Sequence, residues 1–349
     1  MELLEQTVRA IPALDQAVME RTRRRLDSLT KPPGSLGMLE DWAVQLAGIT
    51  GRPFPRIHDK WVVVMAGDHG VVEEGVSAYP AEVTPQMVLN FLAGGAGVNV
   101  LARMAQARVR VVDMGVNGEL ALPGLWSRKV REGTANLARG PAMSREEAVA
   151  ALEAGIEVAQ DLAGRGADLL ATGDMGIGNT TPSSAILAAL TGCPAEEVVG
   201  RGTGIDDERL AAKVAAVRRG LEVNRPDPQD ALDVLHKVGG LEIAGLAGVI
   251  LGAAARRVPV VVDGFISGAA ALVATRLAPA SREYLMASHL SEEPGHRIML
   301  AELGLTAPLR LRMRLGEGTG AVLAFSLVEA ACRILSQMAT FAEAAVSEK

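Results

Sequence analysis

Short runs of β-branched and aliphatic residues, separated by long stretches with helical spacing, constrain this chain more than any other feature. The runs fall at 61–65, 109–112, 169–171, 259–262 and 284–287. Between them, helical patterns cover 84–105, 144–164, 181–191, 206–223, 229–237, 241–256 and 266–277. A strand, a long crossover and another strand, repeated, predict a doubly wound, mostly parallel α/β sheet of Rossmann-like type. Composition agrees: 49% of the 349 residues are hydrophobic but only 3% are aromatic. The core must therefore be built from aliphatic residues, as in parallel sheets covered on both faces.

The two ends of the chain read differently. Residues 3–29 have helical spacing and end at Lys31-Pro32-Pro33-Gly34, a strong stop. A second helix is expected over 38–49, and Arg52-Pro53-Phe54-Pro55 marks a boundary. Residues 321–345 return to helix and are expected to pack with the N-terminal helices. The expected division is 1–58 as N-terminal helices, 59–315 as the α/β domain, and 316–349 as a loop and helices completing a small helical domain.

Charge and cysteine usage exclude several classes. A net charge of −6 with no long basic run and few aromatics argues against nucleic-acid binding. Cys193 and Cys332 are isolated and lack metal-ligand spacing, and no pair among His58, His69, His236, His289 and His296 has zinc-motif spacing. The N-terminus lacks the basic start and apolar stretch of a signal peptide. The most apolar window, 240–255, contains Glu242 and four glycines, so a buried helix is expected there rather than a membrane span. The expected location is cytoplasmic.

Four apolar runs lead closely into an acidic residue and glycine: Gly67-Asp68-His69-Gly70, Asp113-Met114-Gly115, Gly173-Asp174-Met175-Gly176 and Asp263-Gly264. A fifth ends in Ser288-His289. Ligands of open α/β sheets bind outside the carboxyl ends of the strands, so these groups are site candidates as a set. Singly, an Asp-Gly is better explained as a cap or turn residue.

Three glycine-rich segments carry the chemistry. Gly173 to Thr181 follows a strand and opens a helix; Gly176, Gly178 and Asn179 offer backbone and side-chain donors to an anion. It has neither a Walker lysine nor the early-strand position of a dinucleotide fingerprint. An NAD-dependent oxidoreductase would need that fingerprint after Met65, where the chain reads Ala-Gly-Asp-His-Gly. Gly200-Arg201-Gly202-Thr203-Gly204 is a second cradle candidate, with Asp207 and Glu208 suiting the helix start that follows. Lys213 lies about two turns into that helix and is one of only six lysines, so either an anion-binding or a surface role fits it. Gly316-Glu317-Gly318-Thr319-Gly320 leaves a carboxylate accessible beside an apolar run, where desolvation favours a base. A flexible turn with an incidental acid reads equally well from this segment alone.

Together these segments resemble the nicotinate-nucleotide–dimethylbenzimidazole phosphoribosyltransferase family. The matching stretches are Lys31 to Gly37, Ala66 to Gly70, Val76 to Pro80, Val83 to Met87, Gly173 to Thr181, Gly202 to Gly204, Val262 to Gly264, Ser288 to Glu292 and Gly316 to Gly320. They run in order over most of the chain and are specific jointly. The resemblance implies transfer of 5-phosphoribosyl from nicotinate mononucleotide to 5,6-dimethylbenzimidazole, with inversion at C1′ and without metal or cofactor. It implies Glu317 as general base and Asp174 beside the ribose, at a position where the family usually carries glutamate. Gly176, Gly178, Asn179, Gly202, Thr203 and Lys213 would hold the nucleotide phosphate, with Asp263 and Ser291 near the nucleotide. Ser77, Tyr79, Gln86, Met87 and Leu315 would line the base pocket. A homodimer is also implied, each site completed by the partner's small domain.

Overall fold

The computed structural model describes residues 1–347. The chain begins with helices α1 (Glu2–Ala10), α2 (Gln16–Asp27) and α3 (Met38–Thr50) before strand β1 (Lys60–Gly67). Next come α4 (Val83–Ala93), α5 (Gly97–Met104), β2 (Arg108–Gly115), a two-residue β3 (Trp126–Ser127), and the long α6 (Arg145–Gly164). Strand β4 (Leu169–Met175) leads to α7 (Thr180–Thr191), α8 (Ala195–Val198), α9 (Asp207–Asn224), α10 (Ala231–Val238) and α11 (Leu241–Ala255). The last part comprises β5 (Val260–Val262), α12 (Phe265–Leu277), β6 (Leu285–Ala287), α13 (Gly295–Leu303), α14 (Thr319–Gln337) and α15 (Phe341–Ala344).

The strands form one sheet in the order β3-β2-β1-β4-β5-β6, with every pairing parallel. The order reverses between β1 and β4, and a crevice opens at such a switch point, beyond the carboxyl ends of the strands. Side chains alternate across β1, as a period of two requires. Trp61, Val63 and Met65 enter one core with α6, α7, α10, α11 and α12, while Val62, Val64 and Ala66 enter another with α3, α5 and α14. The sheet is thus buried on both faces, which is why its strands read as unbroken apolar runs.

The apolar window at 240–255 is a buried helix, as its glycines predict. A Cβ at Gly155 of α6 would lie 1.9 Å from the Gly245 carbonyl oxygen of α11, so the two helices cross in backbone contact. Thr319–Gln337 is long and apolar enough to cross a membrane. Here its Ala321, Val322, Ala324, Phe325, Val328, Ala331, Cys332 and Leu335 fill the second core instead.

Three expected helices are each two. The stretch at 3–29 breaks at Pro12, which turns Ile11 to extended geometry; Asp15 then starts α2 by accepting from the Val18 amide at 3.0 Å. The stretch at 84–105 breaks at Gly94-Gly95, with Gly94 left-handed. The C-terminal stretch breaks before Thr340, whose side chain and Glu343 form a capping box. Strand β3 and helix α8 have signals too short for the periodicity to separate from loop, and the nine-residue α13 is a further helix beyond those expected. The chain ends meet: Thr340 bridges Leu29, and the Phe341 amide donates to Ser28 at 3.0 Å.

Candidate active site

A cavity of about 540 Å³ opens at the switch point. Its walls come from residues 76–87 leading into α4, the segment after β4, the turn before α9, the start of α12, the segment after β6, and the loop before α14.

Strand β4 carries Asp174 to the sheet edge in register with Met65 of β1. Its carboxylate is nearly buried and accepts from the Asn179 side-chain amide at 2.9 Å. Burial pushes the Asp174 carboxyl well above the ordinary range, and the nearby Asp263 charge adds to this. The residue before it must be glycine: a Cβ on Gly173 would come within 2.4 Å of the Glu317 carbonyl oxygen. Strand β4 and the loop at 316–318 therefore touch backbone to backbone.

Glu317 itself has a left-handed φ of 63°, between two glycines that are also left-handed. A strained non-glycine residue at this point agrees with a functional constraint. Its side chain is buried at the cavity wall, and Oε2 accepts from the Val98 amide of α5 at 3.0 Å. Desolvation raises the Glu317 pKa, while the α5 amides oppose that shift.

The two expected anion cradles face this cavity. Gly176, Gly178 and Asn179 line it from the first glycine-rich segment, and Gly202 and Thr203 from the second. The Ile177 amide donates to the buried Thr84 hydroxyl at 3.1 Å, tying the first segment to α4. Lys213 is fully buried beneath the second, donating to Thr180 Oγ1 at 2.6 Å and the Gly200 carbonyl at 2.9 Å. Burial lowers its pKa to about 8, with Glu293 pulling the other way. The surface reading of Lys213 is thereby excluded, although its ammonium supports the turn from behind rather than lining the cavity.

Other expected residues divide. Ser77, Tyr79, Met87, Leu315 and Ser291 line the cavity, whereas Gln86 is exposed on α4 away from its walls. The family resemblance puts Gln86 with Met87 at the base pocket, but neighbouring helical residues point about 100° apart. Asp263 is not on the wall either. It is buried under the loop at 316–318 and accepts from the Gly318 amide at 3.2 Å and the Ala321 amide at 2.9 Å. It anchors the start of α14. His289 lines the cavity, with Nδ1 3.0 Å from Ser288 Oγ. His69 lies behind the first cradle, 2.8 Å from Glu242, both fully buried.

Four wall residues escaped the sequence reading. Glu293 is buried and accepts from the Gly202 amide at 2.9 Å; it lies just beyond the Ser288 to Glu292 motif. Arg314 donates to the Gly202 carbonyl at 2.8 Å, and its signal was the alternating Arg310-Leu311-Arg312-Met313-Arg314. Phe265 and Ile266 follow Asp263-Gly264 and supply apolar wall. Among the described residues, no group of three or more His, Cys, Asp or Glu side chains could hold a metal ion.

A parallel sheet of this order, with two glycine-rich turns and two buried carboxyl groups around a cavity at its switch point, has the layout of an α/β enzyme site for a small molecule. The comparisons with known proteins agree. A family model described as phosphoribosyltransferase matches residues 11–346. The nicotinate-nucleotide–dimethylbenzimidazole phosphoribosyltransferase of Desulforamulus reducens is 63% identical over the whole of both chains. That of Desulforudis audaxviator is 60% identical, over all of this chain and 99% of the other. The crystal structure of CobT from Thermus thermophilus is 55% identical and superposes with a TM-score of 0.92, covering 95% of this chain and 100% of that one. The chain belongs to the nicotinate-nucleotide–dimethylbenzimidazole phosphoribosyltransferase family and is a pentosyltransferase.

Proposed function

We propose that the protein transfers the 5-phosphoribosyl group of nicotinate mononucleotide to 5,6-dimethylbenzimidazole, releasing nicotinate and α-ribazole 5′-phosphate. The carrying observation is the Glu317 carboxyl group, buried at the wall of a cavity that both glycine-rich turns also line. The relatives' substrates, which their names state, point the same way.

The chemistry balances without metal or cofactor. The pyridine nitrogen of nicotinate is cationic while bonded to C1′, so it leaves by taking the bonding pair and becoming neutral. One benzimidazole nitrogen donates its lone pair to the opposite face of C1′, inverting β to α. The proton on the other nitrogen passes to Glu317. A base whose proton affinity is raised by burial accepts it more readily, and a positioned base contributes about 10²–10⁴-fold. Asp174, held by Asn179, offers negative charge to the oxocarbenium-like ribose.

The nucleotide phosphate takes the backbone donors at Gly176 and Gly178 with Asn179 and the Thr203 hydroxyl, Gly202 shapes the second turn with its own amide held by Glu293, and Lys213 supplies positive charge from beneath. Ser291 sits by the nucleotide, and Ser77, Tyr79, Met87 and Leu315 form the side that receives the flat, apolar base. The working division of the chain is 1–58, 59–315 and 316–349, and the working assembly is a homodimer in the cytoplasm.

Chromatography of the enzyme with both substrates tests the reading: α-ribazole phosphate and nicotinate should appear in equal amounts. Glu317→Gln should still bind the base yet turn over about 100-fold more slowly, a conservative figure for a lost general base. Equal rates for the two proteins would remove Glu317 from the mechanism. A panel of azole, purine and phenolic acceptors would then define the preferred base.

A further inference from the structure

Helix α5 contributes no residue to the cavity wall, yet its first turn touches Glu317. The Val98 amide donates to Glu317 Oε2 at 3.0 Å, and the Gly97 amide faces the same carboxylate. Both belong to the first turn of Gly97–Met104, where helical amides have no partner within the helix. The other oxygen, Oε1, takes no hydrogen bond from the described residues, on a side chain that lines the cavity. The contact is tight on the α5 side. A Cβ built on Gly97 would stand 3.2 Å from Glu317 Oε2 and 3.1 Å from Leu315 Cδ2.

We propose that the first turn of α5 is a positioning element for the base: its Val98 amide, with the Gly97 amide beside it, holds Oε2, leaving Oε1 aimed into the cavity to take the azole proton. This rests on Glu317 being the general base. Two amide donors at the positive end of a helix stabilise the ionised carboxylate against burial. They also remove one rotational freedom that a glutamate between two glycines would otherwise keep. The base is thereby kept both charged and oriented, two requirements that desolvation alone sets against each other. The break at Gly94-Gly95 separates α5 from α4 and lets this short helix point its N-terminus at the loop.

Two changes in the full-length enzyme test this. Gly97→Ala adds one methyl group facing the carboxylate, at a first-turn position where alanine suits a helix better than glycine. Replacing the amide between 97 and 98 by an ester removes the Val98 donor and keeps the valine side chain. Expected for both is a kcat about 10-fold lower with the nucleotide KM unchanged, since small misplacements of a reacting group are costly. The ester should also move the acid limb of the kcat profile up by about one pH unit, the effect of losing a donor to the ionised form.

Each change is repeated in Glu317→Gln. There neither should lower the residual rate further, because the helix acts through the carboxylate. A second, equal loss on that background would mean that α5 acts through folding, and the proposal would be wrong. It would be wrong too if both variants matched the parent in kcat and pH profile while Glu317→Gln was slow. A fully active Glu317→Gln is the separate outcome that removes the general-base reading and this inference with it.

Discussion

The side-chain amide of Asn179 donates to Asp174 Oδ2 at 2.9 Å, linking the last turn before α7 to the end of β4. The bond makes the acid and the first cradle one unit. A Cβ at Gly316, on the opposing loop, would stand 3.1 Å from the same oxygen, so glycine there leaves the Asp174 carboxyl only a narrow space. The family resemblance leads one to expect glutamate here, and that narrow space together with the Asn179 bond bears on whether a longer acid can be accepted.

Asp174→Glu is therefore expected to lower kcat about 10-fold rather than raise it, because an added methylene in a packed site displaces its neighbours. A steady-state comparison of the two enzymes decides this. A clear rise in kcat would show that the native side chain is too short for its work.

Asp174→Asn should have opposite effects on stability and on rate. Burial holds the Asp174 pKa well above its unfolded value. Between those two values the folded state binds the extra proton, so ionisation at higher pH works against folding. The neutral amide carries no such ionisation cost, so wherever Asp174 is ionised the variant should have the higher Tm, with the gap widening as pH rises, while activity falls. Calorimetry over a pH series in which the gap narrows or reverses with rising pH would contradict it.

The rate should depend on pH in a way that two groups explain. Glu317 works when ionised, and burial raises its pKa above the usual glutamate value. Activity should therefore fall as pH drops through that raised value, and Glu317→Gln should lack this limb. At the other end, Lys213 loses its proton near pH 8 in the ligand-free enzyme. The quantity kcat/KM for the nucleotide should fall above about pH 8, and Lys213→Met should remove that limb together with much of the affinity.

Asp263 separates anchoring from ligand contact. Asp263→Ala leaves the buried Gly318 and Ala321 amides without their acceptor and should cost about 2 kcal/mol or more in denaturant unfolding. The loss of kcat should follow from displacement of Glu317, with nucleotide affinity measured by calorimetry nearly unchanged. A selective loss of nucleotide binding at full stability would restore Asp263 as a ligand contact.

The alternation of apolar runs and helices was enough to predict the sheet, its parallel strands and the edge at which the cavity opens. Residues two apart share a face of a strand, and crossovers of helical length force parallel pairing. The glycine segments were equally legible, because backbone that must approach an anion or another chain tolerates no Cβ. Gly173, against the Glu317 carbonyl, is the clearest case.

What local pattern does not contain is which distant groups meet. Lys213 reads as readily as a surface cation, and only packing against Thr180 and the Gly200 carbonyl buries it and lowers its pKa to about 8. Asp263 reads as a ligand residue like the other strand-end acids, yet α14 takes both its oxygens. Glu293 and Arg314 converge on Gly202 from segments about a hundred residues away in the chain. Hydrogen-bond partners and desolvation are properties of the closed fold, so the sequence determined the kind of residue at each strand end, and tertiary contact decided which of them face the cavity and in what state of charge.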